Sequence, residues 1–223
     1  MKVKSFLVMA LLALLATGCS DDDEPQVNVS SGVKEIKVTA NDDTKWFYVD
    51  LKNAEISAAT ATDKISYINM EGKVVEEKDP AKIEGTVPAN WDIAMNGFNI
   101  RTNNGAVLVS TATDFSALTE IPTGNYVQDK TVKAEDKLIR VDMSKMQEGI
   151  MGYIGGYVND VLSANIKKIP TGAMPPYEYS IADPDHVYVI KFANGNWAKV
   201  KFLKCSYGGG KKSVNFSYEY ISK

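Results

Sequence analysis

The sequence has 223 residues and a formal net charge of −3, from 25 lysines and arginines against 28 acidic residues. A net acidic chain is not expected to bind nucleic acid, because that binding depends on basic side chains that neutralise phosphates. The chain contains one histidine, His186, which excludes a multi-histidine zinc site. A lone histidine lacks the orienting partners that acid–base catalysis requires, so we predict a structural role for it and no enzymatic activity.

The N-terminal segment has the features of an export signal. Two lysines precede an apolar run at residues 6–16 that is too short to span a bilayer, which predicts a cleaved signal peptide over residues 1–18. The run ends in Ala-Thr-Gly-Cys at residues 16–19, a tract that resembles a lipobox. We therefore predict lipidation of Cys19, which would anchor the mature chain to a membrane without a spanning helix.

A run of acids follows the predicted anchor. Residues 20–24 read Ser-Asp-Asp-Asp-Glu and resemble the acidic export signal that sends lipoproteins of the Bacteroides type to the outer face of the outer membrane. The alternative is a solvated acidic tether, which is what most charge runs are. In both cases residues 19–32 form a lipidated tether, disordered from residue 20 onward, and one domain covers residues 33–223. Loss of the signal peptide removes two lysines and no acid, so the net charge becomes −5.

The sequence of the first part of the domain predicts β-strands. Residues 33–52 contain two runs of β-branched and aromatic residues that are separated by Asn-Asp-Asp at residues 41–43, which predicts two strands and a turn. Residues 65–70 and 73–77 predict a second pair, joined by Glu-Gly. The whole pattern favours a mainly β, antiparallel domain.

The middle of the chain continues the pattern. Apolar and polar residues alternate from Trp91 to Asn96, which predicts a strand with one buried face. Asn-Asn-Gly at residues 103–105 is expected to turn this strand into a partner at residues 106–110.

The C-terminal third predicts a three-stranded meander. Residues 187–192, 197–207 and 213–221 form the strands, with turns at Asn-Gly-Asn and Gly-Gly-Gly. Lys199, Lys201 and Lys204 on the middle strand indicate a sheet with one solvated face. With Cys19 lipidated, Cys205 has no disulfide partner, so the fold must depend on its hydrophobic core.

Two segments interrupt the β pattern. Residues 143–162 place apolar side chains at spacings of three or four, which is typical of an amphipathic helix. Four glycines in that segment oppose a long helix, so we expect a short helix or a mobile, glycine-hinged loop. Residues 169–177 contain three prolines and a glycine, which exclude regular structure.

Four of the six methionines outside the signal peptide lie in these irregular segments. Methionine usually fills gaps in a core. On loops with several nearby tyrosines, methionines would instead form an apolar slot that bears thioethers. A flat tetrapyrrole with an axially ligated iron requires such a slot. Both interpretations remain open from the residues alone.

Over residues 34–221 the order of features resembles the HmuY-like haem-binding lipoproteins, the hemophores of Bacteroides-type bacteria. The resembling tracts are Trp-Phe-Tyr-Val at 46–49, Asn-Trp-Asp-Ile-Ala-Met at 90–95, Asn-Gly-Ala-Val at 104–107, Ile-Pro-Thr-Gly-Asn-Tyr at 121–126, Asn-Gly-Asn-Trp-Ala-Lys-Val-Lys-Phe at 194–202 and Phe-Ser-Tyr-Glu-Tyr at 216–220.

The resemblance implies a single HmuY-like β domain whose two short helical or irregular arms hold haem (iron protoporphyrin IX) non-covalently. Both axial ligands are histidines in the founding member, and neither arm of this chain contains a histidine. Other members are thought to use two methionines. Met174, close to Tyr177, corresponds to the second ligand, and the first is Met146, with Met151 and Met143 as its competitors. Lysines 145, 167 and 168 are candidates to pair with the haem propionates.

The resemblance also implies the biological setting. A lipid-anchored protein on the outer membrane, exposed at the cell surface and also shed in soluble form, would take haem from host haemoproteins or other hemophores. It would then deliver the haem to a TonB-dependent outer-membrane receptor. The rival hypothesis is a surface lipoprotein whose β domain binds glycan or a partner protein without a cofactor.

Overall fold

The computed structural model describes residues 28–30, 32–170 and 177–223. Within these residues the backbone forms nineteen strands, one short α-helix, α1 (Asp160–Ala164), and three 3-10 turns, at Phe115–Ala117, Ala134–Asp136 and Met146–Glu148. The strands are β1 (Asn28–Ser30), β2 (Val33–Ala40), β3 (Lys45–Asp50), β4 (Glu55–Thr60), β5 (Ile65–Ile68), β6 (Val74–Lys78), β7 (Ile93–Asn96), β8 (Asn99–Thr102), β9 (Ala106–Val109), β10 (Val127–Gln128), β11 (Lys130–Val132), β12 (Ile139–Asp142), β13 (Met151–Ile154), β14 (Gly156–Val158), β15 (Ile166–Ile169), β16 (Glu178–Ile181), β17 (Tyr188–Lys191), β18 (Trp197–Gly208) and β19 (Lys211–Ile221).

The strands form three larger sheets and two small ones, and each described strand pair is antiparallel. A seven-stranded sheet has the order β1-β2-β19-β18-β17-β9-β10. The central sheet has the order β4-β3-β7-β8, and the arm sheet has the order β12-β13-β5-β6. The small sheets are β11-β14 and β15-β16. The predicted mainly β, antiparallel fold class is confirmed.

The central sheet lies between the other two large sheets. Trp46 and Tyr48 point to one side of β3 and pack in a cluster with Ile65 and Ile154 of the arm sheet. Phe47 and Val49 point to the other side and join the main core, which contains the apolar residues of β2, β18 and β19. Side chains alternate across a strand, so β3 supplies one half of its residues to each core.

This layering corrects the prediction for residues 91–96. All four residues of β7 are buried, because β7 lies inside the central sheet and has a core on each face. β7 ends at Asn96, where a two-residue turn that begins with Gly97 at φ 59° leads into β8. Residues 103–105 connect β8 to β9 in a different sheet, so the predicted hairpin at Asn-Asn-Gly is wrong.

The predicted C-terminal meander is confirmed, with one correction. β17, β18 and β19 are neighbours, and Gly209 and Gly210 adopt positive φ in the tight turn between the last two. Lys199 does not lie on a solvated face, since it is 6% exposed. Its Nζ donates hydrogen bonds to Glu219 at 2.7 Å and to the carbonyl oxygen of Phe115 at 3.0 Å, because the segment around that 3-10 turn covers this part of the sheet.

The segment at residues 143–162 is not an amphipathic helix. It contains a 3-10 turn, the strands β13 and β14, and only then the short helix α1. Gly149 and Gly156 adopt φ of 71° and 146°, which no helix allows, and β13 pairs with β12 and β5 on its two sides. The segment that carries Met143, Met146 and Met151 is therefore part of a hairpin, and these methionines do not share one helix face.

The tether prediction also changes at its end. Residues 28–30 form β1, which pairs with β2 at the edge of the seven-stranded sheet, so this part of the predicted disordered tether is ordered. Residues 1–27, including Cys19, lie outside the described residues.

Gly152 in β13 allows a test of how closely the arm sheet is packed. A Cβ at this position would lie 2.8 Å from Ile65 Cγ2 and 2.9 Å from Asp142 Cβ. We expect Gly152→Ala to lower the free energy of unfolding by about 1–3 kcal/mol, because both neighbours must shift. Urea unfolding measures the loss, and Gly208→Ala is the control because no atom lies within 4 Å of its Cβ position. Equal stabilities of the two variants would contradict the close approach.

Asp92 gives the fold a pH dependence. Its side chain is 8% exposed, it accepts a hydrogen bond from the Leu51 N–H at 2.8 Å, and burial raises its pKa to about 6. Because the folded pKa lies above the ordinary value of 3.8, the stability that Asp92 contributes at low pH is lost as the pH rises through 6. We expect Asp92→Asn to gain stability relative to the wild type between about pH 4.5 and about pH 7.5, since the amide accepts the same bond without a charge. Urea unfolding at both pH values checks this, and a constant difference would contradict it.

Candidate functional site

The first arm is residues 143–150, the connection between β12 and β13. Its 3-10 turn, Met146–Glu148, is followed by Gly149, whose positive φ of 71° reverses the chain and whose N–H donates to the Met146 carbonyl at 3.0 Å. Met146 is 55% exposed and Met143 is 45% exposed. Exposed methionines are unusual because the thioether side chain is normally buried. The first arm therefore presents two thioethers to its surroundings.

The base of the first arm is held by two links to the neighbouring hairpin. Asp142 accepts hydrogen bonds from the Tyr67 hydroxyl at 2.6 Å and from the Ser144 N–H at 2.7 Å. Lys145 forms an ion pair with Glu76 on β6, and its Nζ lies 5.0 Å from the centre of the Tyr67 ring. These contacts fix the residues directly before Met146 while its side chain stays exposed.

The protonation states of this base favour the links at neutral pH. Burial acts to raise the pKa of the Asp142 carboxyl, but the hydrogen bonds from Tyr67 and Ser144 outweigh it, so the pKa lies below its usual value. The hydrogen bond to Asp142 raises the pKa of the Tyr67 phenol to about 12. A neutral phenol therefore donates to a charged carboxylate, which is the stronger, charge-assisted type of hydrogen bond.

The second arm is residues 170–177, the connection between β15 and β16. Residues 171–176, including Met174, lie outside the described residues. Tyr177 is half-buried, and the Nζ of Lys168 lies 3.1 Å from the centre of its ring. On β16, directly after the arm in sequence, the ring of Tyr179 lies 4.5 Å from that of Phe98 and 6.0 Å from that of Tyr207. Aromatic side chains therefore surround the described residues that follow the second arm.

The charge of Arg140, which precedes the first arm on β12, acts on Tyr179, which follows the second arm. Burial raises the pKa of Tyr179, and the positive charge of Arg140 acts in the opposite direction, so the two side chains lie within electrostatic range. Arg140 precedes the first arm by three residues, and Tyr179 follows the second arm by two. β12 is also an edge strand of the arm sheet. Arg140 is therefore a positive charge that acts on Tyr179 from the strand that precedes the first arm.

The structure distinguishes the predicted site residues from one another. Met151 is half-buried on β13, in a small cluster with Ile68 and Tyr153, and the Tyr153 hydroxyl lies 3.8 Å from its sulfur. The candidate propionate partner Lys145 is already paired with Glu76, and Lys168 lies on the Tyr177 ring, whereas Lys167 is exposed.

Sequence reasoning missed Arg140 and Met70. Met70 lies in the turn between β5 and β6 and is 86% exposed. Its Cγ and Sδ lie 3.1 Å from the position that a Cβ of Gly149 would take, so it touches the first arm. Its position beside the predicted Glu-Gly turn was the available signal, since an apolar side chain there has no strand face on which to pack.

Other sites are not supported within the described residues. His186 precedes β17, and its Nδ1 lies 2.8 Å from the Asp183 carboxylate. No group of three or more histidine, cysteine or acidic residues is placed to hold a metal ion in residues 28–30, 32–170 and 177–223. No helix in that part of the chain has the length and apolar character needed to cross a bilayer.

A cavity of about 460 Å³ adjoins the base of the first arm. Tyr67 and Asp142 line it, together with apolar side chains such as Ile65 and Ile154. Its charged rim is already internally paired, since Lys45 and Lys82 both contact Glu84. This cavity therefore lies beside the arm and is separate from the exposed thioethers.

Comparisons with known proteins agree with this architecture. The family model described as HmuY protein matches residues 42–220. A search of curated proteins gives no match.

Solved structures show the same fold. The apo form of PinO from Porphyromonas gingivitis is 30% identical with a TM-score of 0.69, and the match covers 87% of this chain and 100% of that one. The apo HmuY analog of Tannerella forsythia is 26% identical with a TM-score of 0.71, over 92% and 100% of the two chains. A Bacteroides vulgatus protein assigned as HmuY-like and haem-binding is 27% identical with a TM-score of 0.61, over 86% and 93%. On its sequence and on its fold, this chain belongs to the HmuY family.

Proposed function

We propose that this protein binds haem non-covalently between its two arms, with the thioethers of Met146 and Met174 as axial ligands. Membership of the HmuY family and the likeness to an HmuY-like, haem-binding Bacteroides vulgatus protein support a haem ligand. The observation that carries the proposal is the exposed Met146 thioether on an arm whose base is fixed at Asp142.

Met146 is favoured over its two competitors by exposure and position. Of the three it is the most exposed, and it stands in the 3-10 turn in the middle of the arm. Met151 is half-buried and already packs on Ile68 and Tyr153. Met143 is exposed to a smaller extent than Met146 and lies at the first position of the arm, not in its turn.

The residues around the arms suit the rest of a haem. The Tyr177 ring offers an aromatic wall for the flat macrocycle. Arg140 and Lys167 are exposed cations near the arms that can pair with propionates. A thioether is neutral and does not titrate, so this ligand set should hold haem at mildly acidic pH, where a histidine ligand protonates.

The setting of this activity is part of the proposal. Lipidation at Cys19 would tether the protein to the outer membrane, with the acidic residues that follow directing it to the cell surface and a shed form acting in solution. From there it would take haem from host haemoproteins or other hemophores and pass it to a TonB-dependent receptor. The lipobox-like tract and the acidic run support this placement.

Haemin titration of the purified protein, followed by visible absorption, tests the site. We expect a saturable Soret band at one haem per chain. Met146→Leu and Met174→Leu should each weaken binding by about tenfold or more and change the spectrum, because leucine keeps the size of methionine without its sulfur.

Met95→Leu is the matched control for this titration, since Met95 is fully buried in β7. Met143→Leu and Met151→Leu decide between the candidates for the first ligand: a larger loss in either of them than in Met146→Leu would move the ligand there. The absence of a saturable band in the wild type, with and without reductant, would contradict haem binding and favour a domain that binds glycan or a partner protein.

Thioether ligation also predicts a redox preference. Soft sulfur favours iron(II) over iron(III), and methionine ligands raise the reduction potential of haem. We expect the protein to bind haem about tenfold more tightly in the presence of dithionite than in its absence. Parallel titrations under the two conditions measure the ratio, and equal or weaker binding of reduced haem would argue against two methionine ligands.

A further inference from the structure

Met70 is the most exposed of the large hydrophobic side chains in the described part of the chain, at 86%. The turn that carries it does not depend on its side chain. Asn69 and Lys73 exchange backbone and side-chain hydrogen bonds of 2.9 to 3.0 Å, and Gly72 supplies the positive φ of 82°. The Met70 side chain therefore contributes little to the stability of this turn.

The position of Met70 relative to the first arm is specific. β5 and β13 are paired with Ile68 opposite Met151, so the turn after β5 lies beside the arm before β13. The Cγ and Sδ of Met70 occupy the space that a side chain on residue 149 would need. Gly149 in turn donates its N–H to the Met146 carbonyl at 3.0 Å. Met70 thus contacts Gly149 through its side chain, and Met146 bonds to the same glycine through its backbone carbonyl.

The hairpin that carries Met70 is also tied to the first arm at its base. Lys145 pairs with Glu76, and Asp142 accepts from Tyr67, so each link joins the first arm to β5 or β6. The hairpin of Met70 and the arm of Met146 are therefore joined by side-chain contacts, and Met70 is the more exposed of the two methionines.

We propose that Met70, beside the first arm, is an additional thioether ligand of the haem iron. Met70 would hold the iron during capture and release, and Met146 would hold it in the stable complex. This inference rests on the haem-binding function proposed above. In the exchange one iron–sulfur bond breaks as the other forms. Both thioethers are neutral, so no proton moves and the oxidation state of the iron does not change.

The test compares Met70→Leu, Met146→Leu and the double variant with the wild type. Haemin titration gives the affinity and the spectrum, and stopped-flow transfer of bound haem to excess apomyoglobin gives the release rate. We expect Met70→Leu to keep the wild-type affinity within about twofold and to slow transfer by about tenfold, since only a ligand of the transfer step is lost. Met146→Leu should change the wild-type spectrum but keep two thioether ligands, Met70 and Met174, whereas the double variant should keep Met174 as its single thioether ligand.

Met143→Leu combined with Met146→Leu is the control, because it removes the other exposed thioether of the first arm. If this pair, and not the pair with Met70→Leu, is reduced to a single thioether ligand, the ligand that replaces Met146 is Met143 and the inference is overturned. Wild-type transfer in Met70→Leu, together with a double variant that matches Met146→Leu, overturns it as well and leaves the haem site intact. A wild type that binds no haem overturns both proposals. Exposure of Met70 at a turn means that all the Met70 variants should fold, which circular dichroism verifies.

Discussion

The burial of β3 on both of its faces is the constraint on which the remaining structure depends. Trp46 and Tyr48 are directed to the arm sheet, while Phe47 and Val49 enter the main core with the seven-stranded sheet. A strand with a single apolar face could support only one partner sheet. Because β3 supports two, the arm sheet is packed against the rest of the molecule, and the hairpins that extend from it have a rigid base.

Local patterns predicted several strands that directly follow one another. The C-terminal meander, with its glycine turn before Lys211, is such a case, and so is the pair β5 and β6. The prediction failed where the deciding contact is distant in sequence. Alternation from Trp91 to Asn96 indicates a strand but cannot show that a second sheet covers its other face. Likewise, the spacing of the methionines from residue 143 onward fits a helix until the pairing of β13 with β5 is known.

The candidate site shows the same division. The resemblance to a family and the composition of the two irregular segments pointed to methionine arms, and the first arm exists with Met146 exposed on it. Met70 and Arg140 could not be assigned from the sequence, because each reaches the arms across a strand pairing or from a neighbouring edge. Tyr67 and Glu76 are similar: they are ordinary strand residues until Asp142 and Lys145 are placed beside them.

The links at the base of the first arm have a thermodynamic consequence for capture of any ligand. Fixing one residue of a flexible loop costs about 1–2 kcal/mol of conformational entropy, and a loop that orders only on binding subtracts that cost from its affinity. The Tyr67–Asp142 hydrogen bond and the Lys145–Glu76 ion pair form when the protein folds. The entropy cost of ordering these residues therefore falls on folding and is not subtracted from the affinity. The first arm is thus preorganised, and only the rotamers of its exposed side chains remain to be selected when a partner arrives.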